Sequence, residues 1–314
     1  LYKYSIENGT LSETLIRSNN DYQDQYFGGV AGYEFMNSTR VRVNYKQSKI
    51  DQGLPGAVIF YNNSADERLT TADQSLATDV RFRIGHGLYA RGYLNGNVNN
   101  MRYFDPTYFN SAGKVDVTYL NRNLNAGLVA SGHRVKDGYH IYNQTYIFGA
   151  EGGLSDLASS DSIFASPVRQ QISVIVGARI KVGPFQLNGH VSGQFVHESN
   201  QTGDAGKNVV GVNPYFSLES KESGRRYARH RLWYRNSLRV PTFNELYYKN
   251  IGNTSLVPEK VNQFGYNLSF FPIDRNGNRI AITGAAFFNR ITDKIVAIPT
   301  QNLFVWSIQN LGIV

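Results

Sequence analysis

The chain has 314 residues, 41% hydrophobic and 13% aromatic, with 32 Lys and Arg against 24 Asp and Glu for a formal charge of +8. Cysteine is absent, which removes disulfide frameworks, thiolate metal sites and thiol catalysis together. Charged residues reach only 18% where ~25% is usual, no window approaches the ~18 apolar residues of a membrane helix, and the aromatic content is too high for a disordered chain.

An all-β chain remains, and its strands show themselves by alternation with period two, which sends odd and even residues to opposite faces. The first predicted strand covers 21–35. Next, Val41, Val43 and Tyr45 oppose Arg40, Arg42, Asn44 and Lys46. Over 75–85, Leu76, Val80, Phe82 and Ile84 oppose Asp79, Arg81 and Arg83. A strand over 117–134 follows. Over 168–182, Ile172, Val174 and Val176 oppose Gln171, Ser173, Arg179 and Lys181. Over 184–198, Phe185, Leu187, Val191 and Phe195 oppose Gln186, Asn188, His190 and Ser192, with Val196 as the exception. Segments 208–220, 226–240, 260–272 and 278–294 complete the series.

Two architectures give such strands. A soluble sandwich or adhesin-like binding protein hides one face in a core, whereas a membrane barrel turns the apolar face to lipid and the polar face to a wet lumen. Soluble strands run about 5–6 residues and tilted membrane strands ~9–11, and most segments here reach the longer figure. Gaps alternate as well. Short turns are predicted near 36–38, 85–87, 136–138, 183–184, 222–224 and 274–278, and long connections at 49–74, 99–116, 154–168, 199–208, 240–259 and 295–306. Short turns on one rim and long loops on the other are the layout of outer-membrane barrels, and about 25 residues per strand gives about 12–13 strands. The expected fold is an antiparallel transmembrane β-barrel wall, seen as an open curved sheet. A complete barrel of that size, acting as a passive channel or rim enzyme, is the alternative.

Residues 239–260 carry a recognisable box: Arg239, Pro241, Asn244, Leu246, Tyr247, Gly252, Asn253, Leu256, Pro258 and Glu259. It resembles the TonB-dependent outer-membrane receptors, and 53–62 and 289–306 are similar to other parts of that family. The resemblance implies a 22-stranded barrel of Gram-negative bacteria, filled by an N-terminal plug, which imports a scarce ligand with energy from the TonB complex. Residues 1–314 are then expected to be part of one barrel domain. Plug and C-terminal strands are missing from it, and 309–314 reads as a strand that has only begun. A ferric siderophore or a corrinoid of cobalamin type is the cargo the resemblance suggests, and membrane lipid and lipopolysaccharide are the surroundings. Haem-uptake members place a His inside the box, and 242–251 contains none, which disfavours haem.

Predicted site residues fall into three sets. The box sets loop shape, since Pro241 and Pro258 cannot donate to a ladder and so end one strand and precede the next. Outer-loop aromatics and an amide, Phe60, Tyr61, Asn62, Tyr103, Phe104, Tyr108 and Tyr248, are candidates for ligand contact, because such rings bury much area at low entropic cost. Arg229, Arg231 and Arg235 are expected in the lumen, because an Arg facing lipid costs ~2–4 kcal/mol near the midplane. There they either meet plug carboxylates or focus an anionic ligand. The six His residues show no metal-ligand spacing, no hydrolase elbow or phosphate loop occurs, and the cations alternate along strands instead of forming a nucleic-acid patch. Neither cofactor nor metal nor catalytic residue is expected.

Overall fold

The computed structural model describes residues 2–5, 11–15, 18–36, 38–55, 65–107, 113–134, 141–161, 163–220, 228–248, 251–275, 278–299 and 306–314. A hairpin of β1 (Tyr2–Ser5) and β2 (Leu11–Leu15) stands apart from the rest. Thirteen strands then form one open, curved, antiparallel sheet in strict chain order. They are β3 (Tyr22–Glu34), β4 (Arg40–Leu54), β5 (Glu67–Gly85), β6 (Leu88–Asp105), β7 (Val115–Arg134), β8 (Ile141–Ser159) and β9 (Val168–Val182). The remainder are β10 (Phe185–Ser199), β11 (Val209–Ser220), β12 (Ala228–Arg239), β13 (Glu259–Arg275), β14 (Asn278–Pro299) and β15 (Trp306–Ile313).

Register makes the two faces continuous. Val176 stands opposite Val191 and Phe148, while Phe195 stands opposite Ile172 and Val210. These apolar side chains point away from the protein: Phe195 is 53% exposed, Val176 55% and Val212 63%. A soluble sandwich would bury them. On the other face Gln194 stands opposite Ser173, Asn188 opposite Arg179, and Glu219 opposite Arg231. Val196, the exception in its row, pairs with Val209 at the outer end of this polar face, and both are buried.

Four of the predicted connections are shorter than expected: 154–168 is strand up to Ser159, 295–306 is strand up to Pro299, and two others lose more. The stretch assigned to a loop at 49–74 is strand up to Leu54 and again from Glu67, and 99–116 is strand up to Asp105 and from Val115. Strands β5 to β8 have 18 to 20 residues, about twice what a bilayer needs. Their outer parts carry polar residues on both faces, so the alternation that marks a strand is lost there. On the apolar face the greasy rows end at Leu76, Val98, Leu124 and Leu154, and ion pairs follow them outward. Arg122 bonds Asp156 at 2.7 Å, Arg102 bonds Asp116 at 2.7 Å, and Arg68 bonds both Asp21 and Asp51. Strands β6 and β8 lacked a sequence signal because Gly and Asn dilute their rows.

At the opposite rim the described turns between β5 and β6 and between β9 and β10 are tight. Gly87 has φ +68, and a Cβ there would lie 2.4 Å from the His133 carbonyl oxygen, so both its conformation and its neighbour require glycine.

Candidate functional site

The segment between β12 and β13 folds inward onto the polar face. Thr242 caps one turn of helix, α1 (Phe243–Tyr247): the Glu245 N–H donates to Thr242 Oγ1, and the Thr242 N–H donates to Glu245 Oε2. This is a capping box, with each side chain satisfying the other residue's backbone. Gly252 then crosses so near the helix end that a Cβ would meet Leu246 O and Tyr248 N at 2.7 Å. Asn253 extends the bridge by donating to the Ile308 carbonyl at 3.0 Å while its Oδ1 accepts from the Ser255 N–H. Beneath lie Leu246, Leu256, Ile295 and Ile308, all buried, with Leu157 of β8 and the Phe164 ring beside Tyr119. This small core ties the outer ends of β7, β8, β14 and β15 to one loop.

Two charged ties hold it. Arg239 donates to both oxygens of Glu259, its cross-strand partner, at 2.7 and 2.9 Å, and with its remaining nitrogen to Glu245 at 3.0 Å. Glu259 in turn accepts from the Ile295 N–H. Deeper, the Glu198 side chain is 2% exposed and receives Arg169 at 2.7 Å together with the Tyr247 hydroxyl. Arg169 reaches on to the Pro241 carbonyl at 2.7 Å and lies over the Phe243 ring, while the Gly206 N–H donates to Tyr247 Oη. Two loops and two strands therefore converge on one carboxylate.

Of the ligand-contact candidates, Tyr248 sits on this platform and is half exposed. Tyr103 and Phe104 lie on strand β6 and not in a loop, with Tyr103 on the polar face and the Arg102 guanidinium over the Phe104 ring. Phe60, Tyr61, Asn62 and Tyr108 lie outside the described residues. Arg229, Arg231 and Arg235 all stand on the polar face of β12, the first two nearer the short turns and Arg235 nearer the outer end. Arg229 pairs with Glu219 at 3.1 Å, and Arg231 donates to Tyr215 Oη at 2.7 Å. Among the described residues no three His, Asp or Glu side chains gather as a metal-ligand set.

The model of the TonB-dependent receptor-like β-barrel matches residues 2–313. This chain belongs to the TonB-dependent receptor-like β-barrel family. Members of this family are transporters and not enzymes. The fold is similar to that of the Serratia marcescens hemophore receptor HasR, solved with its hemophore HasA and heme, at a TM-score of 0.73 and 12% identity over 93% of this chain. It is also similar to the siderophore receptor PiuA of Acinetobacter baumannii, at 0.66 and 12% identity over 95% of the chain. The ferripyoverdine receptor of Pseudomonas aeruginosa aligns at 0.65 and 10% identity over 92%. The chain spans about half of each of these structures: 50%, 53% and 45% respectively. Among curated protein sequences none matches it. No helix is long and apolar enough to cross a membrane, which says nothing of a barrel that crosses with strands.

In this barrel wall the polar face is the lumen side, and the loop is held by contacts of Arg239, Leu246, Tyr247, Gly252, Asn253, Leu256 and Glu259. Sequence reading missed Arg169 and Glu198. The one available signal was Glu198 continuing a polar row beside an apolar Val196, which marks a covered stretch of lumen wall. The capping box was also legible, as Thr242 followed three residues later by Glu245.

The loop's charges set a pH window. Burial pushes the Tyr247 hydroxyl up, and the Glu198 carboxylate adds to this, to about 12 from an ordinary 10.0. Burial also pushes the Glu245 carboxyl up, but hydrogen bonds from Arg239 and the Thr242 N–H outweigh it and hold the group below its ordinary 4.5. The raised Tyr contributes stability that is full below pH ~10 and fades towards ~12, and the lowered Glu contributes above ~4.5 and fades as pH falls. A spin label on Asn244→Cys, the only thiol in the chain, should keep constant mobility from about pH 5 to 10 and loosen outside that window. Loosening centred near pH 7 would contradict it.

Proposed function

We propose that the chain forms about half the wall of an outer-membrane receptor of a Gram-negative bacterium, which takes a scarce ligand from outside and imports it with TonB-derived energy. A plug and its TonB contact are supplied by parts of the parent protein beyond this sequence, and lipid with lipopolysaccharide surrounds the apolar face. The observation that carries this reading is the locked platform of 240–248 and 251–258 on the lumen side of the outer rim, within a barrel wall of this family. A receptor must hold its outer surface in a binding shape, because loops that order only on contact lose affinity to that ordering. Solved neighbours of the same fold hold heme with a hemophore, or ferripyoverdine, and a third is a siderophore receptor. A ferric siderophore or corrinoid is the cargo we assign.

Deleting the full gene should abolish uptake of one radiolabelled iron or corrinoid source on defined media. Undiminished uptake of all such sources would overturn the assignment. The lumen arginines of β12 are assigned to plug carboxylates. The double change Arg231→Gln and Arg235→Gln in the whole receptor should loosen the plug, seen as greater protease access, while ligand affinity stays unchanged. Weakened affinity with a tight plug would instead make them ligand residues.

A further inference from the structure

The lumen wall of β5 to β8 changes chemistry with height. Near the short turns, Arg40, Arg81 and Arg91 stand side by side in register across β4, β5 and β6, answered by Glu34 and Asp79. Near the outer ends Tyr103 and Tyr119 occupy the same face. Between these levels stand six asparagines in a two-by-three array: Asn95 opposite Asn125, Asn97 opposite Asn123, and Asn99 opposite Asn121. Asn95 is exposed and the other five are half-buried.

Asparagine is among the residues strands disfavour, so six on one face of two neighbouring strands run against local propensity. Internal bonding does not compensate. Asn99 donates to Asp73 at 2.6 Å, Asn97 to the Gln74 carbonyl at 3.3 Å, and Asn123 to Asn121 Oδ1 at 3.0 Å. Among the described residues the carbonyl oxygens of Asn97, Asn99 and Asn123 receive nothing, and both ends of the Asn95 and Asn125 amides are unengaged. The array therefore presents donors and acceptors together, its amides uncharged and its single neighbouring charge the Asp73 carboxylate that holds Asn99.

We propose that this carboxamide array is a transit site for an uncharged cargo dense in amide or hydroxyl groups. This rests on the reading that the polar face lines the ligand's passage, and it goes further by naming the cargo's chemistry. Each amide can exchange a water for a ligand amide or hydroxyl at nearly equal energy, so many weak contacts let a solute enter and leave. An anionic cargo gains nothing from the acceptor half of the array.

The test uses the full receptor in proteoliposomes. Its probes are ferrichrome (an uncharged hydroxamate peptide), maltoheptaose (an uncharged polyol) and trianionic ferric enterobactin. Binding of an uncharged probe in preference to enterobactin is expected; ferrichrome would agree with the siderophore assignment, whereas maltoheptaose alone would support the array and replace that assignment with a polyol. The pair Asn97→Thr and Asn123→Thr, both changes that strands favour, should weaken that binding roughly fivefold with unaltered thermal unfolding. Uncharged binding untouched by the Thr pair would reduce the array to wet lining and overturn the proposal, leaving the uptake reading intact. Preference for enterobactin, or binding of no probe, would also overturn it, and the gene-deletion uptake assay then judges the receptor reading separately.

Discussion

Glu198→Leu is expected to release the outer platform, destabilising it locally by about 3–5 kcal/mol, the usual cost of breaking a buried ion pair by removing one partner. The large figure follows from what is left behind. Arg169 would keep its charge at 14% side-chain exposure with only the Pro241 carbonyl and the Phe243 ring as company, and the Tyr247 hydroxyl would lose its acceptor. Because Tyr247 also receives the Gly206 N–H, the effect should reach segment 200–208 as well as 240–258. Hydrogen exchange on the whole receptor reads this directly: both segments should lose protection together while β9 and β10 keep theirs. Glu198→Gln, which retains an acceptor for Tyr247, should cost less. If exchange in 240–258 stays slow in the Leu variant, the loop is held by its apolar core alone.

The second large effect concerns the faces of the wall. Val176→Arg, in the middle of β9 on the apolar side, should cost about 2–4 kcal/mol for folding into lipid vesicles, whereas Ser173→Arg on the same strand should cost little. Val176 looks outward between Val191 and Phe148, with nowhere for a guanidinium to go except acyl chains. Ser173 stands opposite Gln194, where water and polar neighbours receive a charge. Urea titrations of refolding in short-chain phosphatidylcholine vesicles compare the two. Equal costs would mean that both faces are wet or both are covered, and the barrel orientation would fail.

Legibility in the sequence followed the density of alternation. At 168–182 the predicted strand and β9 coincide, and at 184–198 the bounds of β10 differ by a single residue. There Val, Ile and Phe recur at every second position, and only a two-sided sheet satisfies that spacing. Where Asn and Gly replace them, as in β6, the same geometry leaves no trace in the pattern. Outer parts of β4 to β7 were hidden for a related reason: above the lipid both faces meet water, and no composition contrast remains.

Composition and period two by themselves determined an all-β wall with one greasy and one wet side, because the strand repeat fixes which residues share a face before any partner is chosen. The box at 239–260 marked its loop by motif alone. Tertiary structure alone decided what that loop rests on. Arg169, Glu198 and Tyr247 are separated by 29 and 49 residues and carry no shared spacing, and they meet because register aligns the outer ends of β9 and β10 beneath the folded-in helix. The amide array arose in the same way, since Asn97 and Asn123 become neighbours only once β6 and β7 choose their register.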